Sequence, residues 1–223
     1  MSSKYPKRTH KKNLNKEKLA VAAAITFSRN GYPNTPLHEI SEHAGVHVQT
    51  LYKQFKNKEE LALVAAEVAT REFKNRLHEN FASKSTFQIW RDWIESSVSY
   101  LSNLGFGEYK KQALKSSISL MNDNYLLAIN ASYENILTEY LSKDFQMNVK
   151  TERLPRLVAC MLWSGNEAAM KRCAGLDTSY NMLDDNKKII SESIGVVDEV
   201  EKIFSNYITV SYTHLTLPTN REV

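Results

Sequence analysis

Gln49 and Lys53 stand four residues apart in the run His47-Val48-Gln49-Thr50-Leu51-Tyr52-Lys53-Gln54. On a helix that spacing puts both on one face. A glutamine amide can pair with adenine through two hydrogen bonds, a lysine ammonium suits the acceptors of guanine, and an apolar side chain can touch a thymine methyl. Base-edge contacts to duplex DNA are therefore expected from Gln49 and Lys53, with Val48 and His47 beside them, while Gln54 faces outward with the same set. The plain alternative is an ordinary solvated helix face.

Such a face reads bases only if other elements hold it. Residues 35–55 predict two short helices meeting at a turn. Thr35 is expected to cap the first and Pro36 to occupy its first position, where no N–H is missed. Leu37, Ile40 and Ala44 give that helix an apolar side, leaving His38 exposed. Gly45 sits where a chain leaving a helix adopts positive φ, and Val48, Leu51 and Phe55 form the apolar stripe of the second helix. Helix, glycine turn, helix is the plan of the DNA-binding helix-turn-helix, whose second helix lies in the major groove. A preceding helix over 14–30, with Leu19, Ala22, Ala23 and Phe27 on one side, is expected to pack across the pair. After Phe55, Asn57 and Glu60 have the spacing of a capping box. Lys58 lies at that helix start, where backbone amides and an ammonium could together hold a phosphate.

Leu19, Ala22-Ala23, Phe27, Gly31-Tyr32, Thr35, Ile40, Ala44-Gly45-Val46, Thr50-Leu51-Tyr52, Phe55, Lys58 and Leu61 match, in identity and spacing, the N-terminal domain of the TetR family of transcriptional regulators. The resemblance spans residues 14–61. It implies an all-α fold, in which a three-helix DNA-binding domain precedes a larger helical bundle for ligand binding and dimerisation. It also implies a one-component repressor that binds its operator as a homodimer and is released by a small-molecule effector. Thr50, Tyr52 and Lys58 match positions that usually hold the DNA backbone, and His38 can join them. For Tyr52 the alternative is a ring packed in the core. The chain departs from the family pattern at His47, where serine is frequent, and histidine is a poorer cap.

Charge agrees with this division. Residues 1–60 hold eleven Lys and Arg against five Asp and Glu, and the remainder holds eighteen against twenty. The basic excess lies on the segment that would neutralise phosphates. Residues 1–13, with Lys4, Lys7, Arg8, Lys11 and Lys12, are expected to be a disordered basic arm able to reach a phosphate or the minor groove.

Other functions find little support. With 42% hydrophobic and 24% charged residues the composition is that of a soluble globular protein, and the apolar run Leu157 to Trp163 is far short of the roughly 20 residues of a membrane span. No charged-then-apolar signal segment opens the chain, so a cytoplasmic protein without membrane contact is expected. Cys160 and Cys173 fall on one predicted helix, about 20 Å apart, too far to bridge. His38-Glu39 with His43 resembles a zinc-protease helix, but five residues turn a helix by about 140°, so the histidines diverge. There is no Cys pair at zinc spacing, no Gly-rich phosphate loop and no nucleophile elbow, so neither an enzyme nor a bound cofactor or metal is expected.

Apolar periodicity over residues 58–207 predicts further helices near 58–82, 86–104, 108–119, 122–143, 151–174 and 186–207, with Ser83-Lys84-Ser85-Thr86 as a linker, Gly105-Phe106-Gly107 as a stop and a polar loop over 177–186. In the resembled family the last two helices of each subunit form a four-helix dimer interface, and Ser164, Gly165, Ala168 and Ala169 would permit close packing there. The middle of the chain is aromatic. Trp90, Trp93, Tyr100, Phe106, Tyr109, Tyr125, Tyr133 and Trp163, with Asn166 and Glu167, are the candidate lining of a pocket for a flat, partly apolar effector. Plain core is the competing reading for each. Residues 208–223, rich in Thr, continue no pattern and read as a non-native tail. An effector-independent architectural DNA-binding protein is the alternative function, and an all-α enzyme the remote one.

Overall fold

The computed structural model describes residues 6–103, 123–173 and 186–208, and every regular element among them is helical. In chain order these are α1 (Pro6–Asn30), α2 (Leu37–His43), α3 (Val48–Gln54), α4 (Lys58–Asn80), α5 (Thr86–Asn103), α6 (Asn124–Asp144), α7 (Leu154–Cys173) and α8 (Asn186–Phe204), followed by one turn of 3-10 helix, Ser205–Tyr207. The helix expected near 108–119, the glycine stop at 105–107, most of the polar loop and the tail beyond 208 lie outside the described residues.

Two apolar cores organise the chain. The head core joins Leu19, Ala22, Ala23 and Phe27 of α1 to Ile40 of α2, Leu51 and Phe55 around α3, and Leu61, Ala62, Ala65 and Ala66 of α4. The body core gathers Phe73 and Leu77 of α4, Phe87, Trp90 and Trp93 of α5, Tyr133, Leu137 and Leu141 of α6, Val158, Leu162 and Trp163 of α7, and Val197 and Val200 of α8. Helix α4 therefore serves both, burying its first half in one and its second half in the other.

Two local expectations are corrected. Residues 6–13 are not a disordered arm: α1 begins at Pro6 and runs unbroken to Asn30. Lys and Arg are good helix formers and proline is tolerated at a first helical position, so this basic segment extends the helix. Thr35 does not cap α2. Its hydroxyl donates to the Gly31 carbonyl at 2.8 Å, so it ties off the end of α1, and α2 starts after Pro36 with no side-chain cap. Ser83 to Ser85 do link α4 to α5, and the link is bonded at its end. Ser85 and Gln88 form a reciprocal capping box at the start of α5, Gln88 N–H to Ser85 Oγ at 3.3 Å and Ser85 N–H to Gln88 Oε1 at 3.0 Å. The Thr86 amide meanwhile donates to buried Asp144 at 2.9 Å.

Helices α7 and α8 cross closely at Gly165. A Cβ built there would lie 2.3 Å from Val196 Cγ1, so any larger residue would push the helices apart. That glycine serves packing within one chain. Ser164 and Ala168, by contrast, face outward.

Candidate nucleic-acid interface

The turn between α2 and α3 is set by backbone geometry. Gly45 has φ of +62°, a left-handed conformation that glycine adopts without a Cβ clash. The Val46 amide donates to the Ser41 carbonyl at 2.9 Å and the Gly45 amide to the Glu42 carbonyl at 3.0 Å, the paired bonds of a Schellman ending. Helix α3 then begins at His47, whose Nδ1 accepts the Gln49 amide at 3.2 Å. Histidine thus does the work of the missing serine.

On α3 the buried and exposed sides separate cleanly. Leu51 and, just past the helix end, Phe55 are buried in the head core, whereas Gln49 and Lys53 are exposed and Tyr52 is 61% exposed. The packed-ring alternative for Tyr52 is thereby set aside. His38 and His47 are also exposed; Val48 and Thr50 are half-buried. Gln49, Tyr52 and Lys53 share a face one turn long.

Two candidates are placed otherwise. The Gln54 amide donates to the Lys12 carbonyl of α1 at 3.1 Å, so it tethers α3 to α1. Lys58 turns inward. Its ammonium donates to the Tyr32 carbonyl and lies 4.4 Å from the centre of the Tyr32 ring, and burial pulls its pKa below the ordinary lysine value. Its four-carbon stem reaches this carbonyl because Tyr32 packs beside the start of α4, where the Tyr32 hydroxyl donates to Glu59 at 3.0 Å. The expected cap beneath it is present, with Asn57 Oδ1 accepting the Glu60 amide at 2.8 Å, although Glu60 returns its bond to the Lys56 amide at 2.7 Å.

Asp123 is a residue that sequence reasoning missed. One carboxylate oxygen caps α6 by accepting the Leu126 amide at 2.9 Å; the other accepts the Tyr32 amide of the head at 3.0 Å. The aspartate before an apolar helical run was the available signal. Its neighbour Tyr125 is buried against Phe27, ring centres 5.2 Å apart, with its hydroxyl donating to the Ala24 carbonyl and close to Ser28. Burial lifts its pKa to about 12. The start of α6 is thus bonded into the head next to the helix-turn-helix.

The candidate effector residues divide accordingly. Tyr125 belongs to the head core and not to a body pocket. Trp90, Trp93, Tyr133 and Trp163 do come together: Tyr133 stacks on Trp163 at 4.6 Å, and Phe73 packs against Trp90, Trp93 and Tyr133 at 5.0, 5.6 and 5.4 Å. Asn166 is half-buried on α7. Tyr100 lies on α5, but its side chain, like Tyr109 and Phe106, is outside the described residues. The buried indole N–H of Trp90 has no acceptor among the described residues.

No helix among the described residues is long and apolar enough to cross a membrane. The fold is similar to that of FadR from Bacillus subtilis, solved in complex with stearoyl-CoA, at 20% identity over 81% of this chain and 98% of that one, with a TM-score of 0.51. It is likewise similar to the fatty acid degradation regulator FadR from Bacillus halodurans, at 17% identity over 81% and 95% of the two chains, with a TM-score of 0.50. Residues 19–65, which hold the Gly45 turn, the capped α3 and the head core around them, match the family of bacterial regulatory proteins, tetR family. Residues 19–65 accordingly form a helix-turn-helix domain of the tetR family at the N-terminal end of the chain.

Proposed function

We propose that this chain is a repressor that binds a two-fold operator as a homodimer and releases it when a small, partly apolar effector enters the body. The observation that carries the reading is the division of α3, with Leu51 held in the head core while Gln49, Tyr52 and Lys53 stand free in solvent. Gln49 and Lys53, with Val48 and His47, read base edges; Thr50, Tyr52 and His38 contact the backbone. Gln54 and Lys58 are assigned instead to holding α3 and the α1–α2 turn in place.

Dimerisation is assigned to α7 and α8. Leu157 is 53% exposed and Ile203 58% exposed, and Ser164 and Ala168 offer a small-residue surface between helices. Large apolar side chains left in water on neighbouring helices favour association with a second copy. The effector is assigned to the aromatic body, where the Trp90 indole N–H offers a directed donor within an apolar wall. The acyl-CoA bound by the Bacillus subtilis relative is a ligand of that partly apolar kind. Its entry would act on the head through α4 and through Asp123, and only a difference in affinity between the two head arrangements can drive release.

Selection of duplexes from a random-sequence pool tests the DNA reading. It is expected to enrich an inverted repeat with half-site centres about 34–36 Å apart. Absence of any enriched sequence would overturn it. All three tryptophans of the chain lie in the body cluster, so intrinsic fluorescence reports effector entry there. Long-chain acyl-CoA thioesters are expected to quench it saturably and to lower operator affinity; quenching without any loss of operator binding would refute the release mechanism.

A further inference from the structure

We infer that the first two turns of α1 form a second, sequence-independent surface that binds the phosphates of the same duplex, held beside the recognition helix by Gln54. The inference rests on the DNA reading above and extends the interface beyond α3.

Residues 7–16 hold Lys7, Arg8, Lys11, Lys12 and Lys16 and no acidic residue. The first carboxylate along α1 is Glu17, and it is committed to Arg71 of α4 at 2.6 Å. Lys11, Lys12 and Lys16 are exposed. Their charge has the same sign as the amide end of the helix, and the first turn of α1 holds no acid to offset it. Such an arrangement disfavours an isolated helix, because cations belong at the opposite end. A polyanion reverses the sign of that interaction.

The placement identifies which anion. Lys12 and Lys16, four residues apart, share a face of α1. That face abuts the end of α3: the Gln54 amide holds the Lys12 carbonyl at 3.1 Å, and the Lys16 ammonium lies 5.6 Å from the centre of the Phe55 ring. The basic turns of α1 therefore continue the surface of α3 and extend about 9 Å past the tether. Lysines act as compact point charges, which suit phosphates better than base edges. A duplex docked on Gln49 and Lys53 brings flanking phosphates to this continuation.

The test is affinity for a mixed-sequence duplex, measured for the full chain across a range of salt concentrations, for wild type and for Lys11→Gln/Lys12→Gln. The double variant keeps good helix formers. It is expected to bind less tightly, to lower the slope of log affinity against log salt by about 2, and to leave the preference for an enriched operator unchanged. Its melting temperature should not fall, since the substitutions remove charge from the wrong end of a helix. An unchanged slope, with wild type binding DNA normally, would overturn this inference alone and leave the lysines as a solvated face. Failure of the wild type to bind any duplex would overturn the inference together with the DNA reading on which it rests.

Discussion

Head and body are built from different side chains. The head core is largely alanine, with Ala22, Ala23, Ala24, Ala62, Ala65 and Ala66 around Phe27 and Tyr32, whereas the body core stacks Phe73, Phe87, Trp90, Trp93, Tyr133, Tyr140 and Trp163. Small side chains let the helices of the head approach closely, so α1, α2 and the first half of α4 can fix the angle of α3. Large rings let the body fill a wider space between α4, α5, α6 and α7. The head is thus packed around small side chains and the body around rings, and they meet where α4 passes between them and where Asp123 reaches Tyr32.

Truncating a body ring tests this contrast with the largest expected effect. Phe73 is fully buried against three other rings, and Phe73→Ala is expected to cost about 3–5 kcal/mol in urea unfolding. A cost under about 1 kcal/mol would mean that the cluster is not the core of the body.

A pH series separates the regions by a second route. Burial lifts the carboxyl of Asp144 to about 6, above the ordinary value of about 4, although the Thr86 amide favours its charged form. The folded chain keeps a proton that the unfolded chain loses between about pH 4 and 6, so this group lowers stability as pH rises through that window. Asp144→Asn removes the titration. The stability difference between variant and wild type is expected to shift by about 3 kcal/mol in favour of the variant from pH 4 to pH 7. A difference independent of pH would show that the carboxyl is not perturbed.

The head should resent the opposite change. Ala65 is fully buried in its core, and Ala65→Leu is expected to cost about 1–3 kcal/mol through overpacking and to weaken DNA binding by tilting α3. A neutral result would remove the claim that close approach sets the recognition angle. The smallest effect on stability belongs to the exposed face of α3. Gln49→Ala/Lys53→Ala should change unfolding free energy by no more than about 0.5 kcal/mol, because neither side chain is packed in the head.

Much of the head could be read from the chain itself. Gln49 and Lys53 alternate with Leu51 and Phe55 so that only one assignment of inside and outside suits a helix, and Gly45 marks the turn. What escaped there depended on long-range partners. Lys58 chooses the Tyr32 carbonyl, Thr35 chooses the end of α1 over the start of α2, and the basic segment from Lys7 to Lys12 continues a helix beside Gln54. The body was legible as helices but not as a site. Spacing shows that Trp90, Trp93 and Tyr133 lie on apolar faces, yet it cannot tell a face that meets another helix from one that meets a ligand. Tyr125 shows the difference, since it carries the same signature as Tyr133 and packs in the head.

The central claim is that the outward face of α3 distinguishes one DNA sequence from another. Its most direct measurement is the ratio of affinities for an enriched operator and a mixed-sequence duplex, compared between wild type and Gln49→Ala/Lys53→Ala at one salt concentration. The ratio is expected to fall by at least about tenfold, each lost base contact being worth about 1–3 kcal/mol, while melting and residual binding to mixed sequence persist. A variant that keeps the wild-type ratio would contradict it.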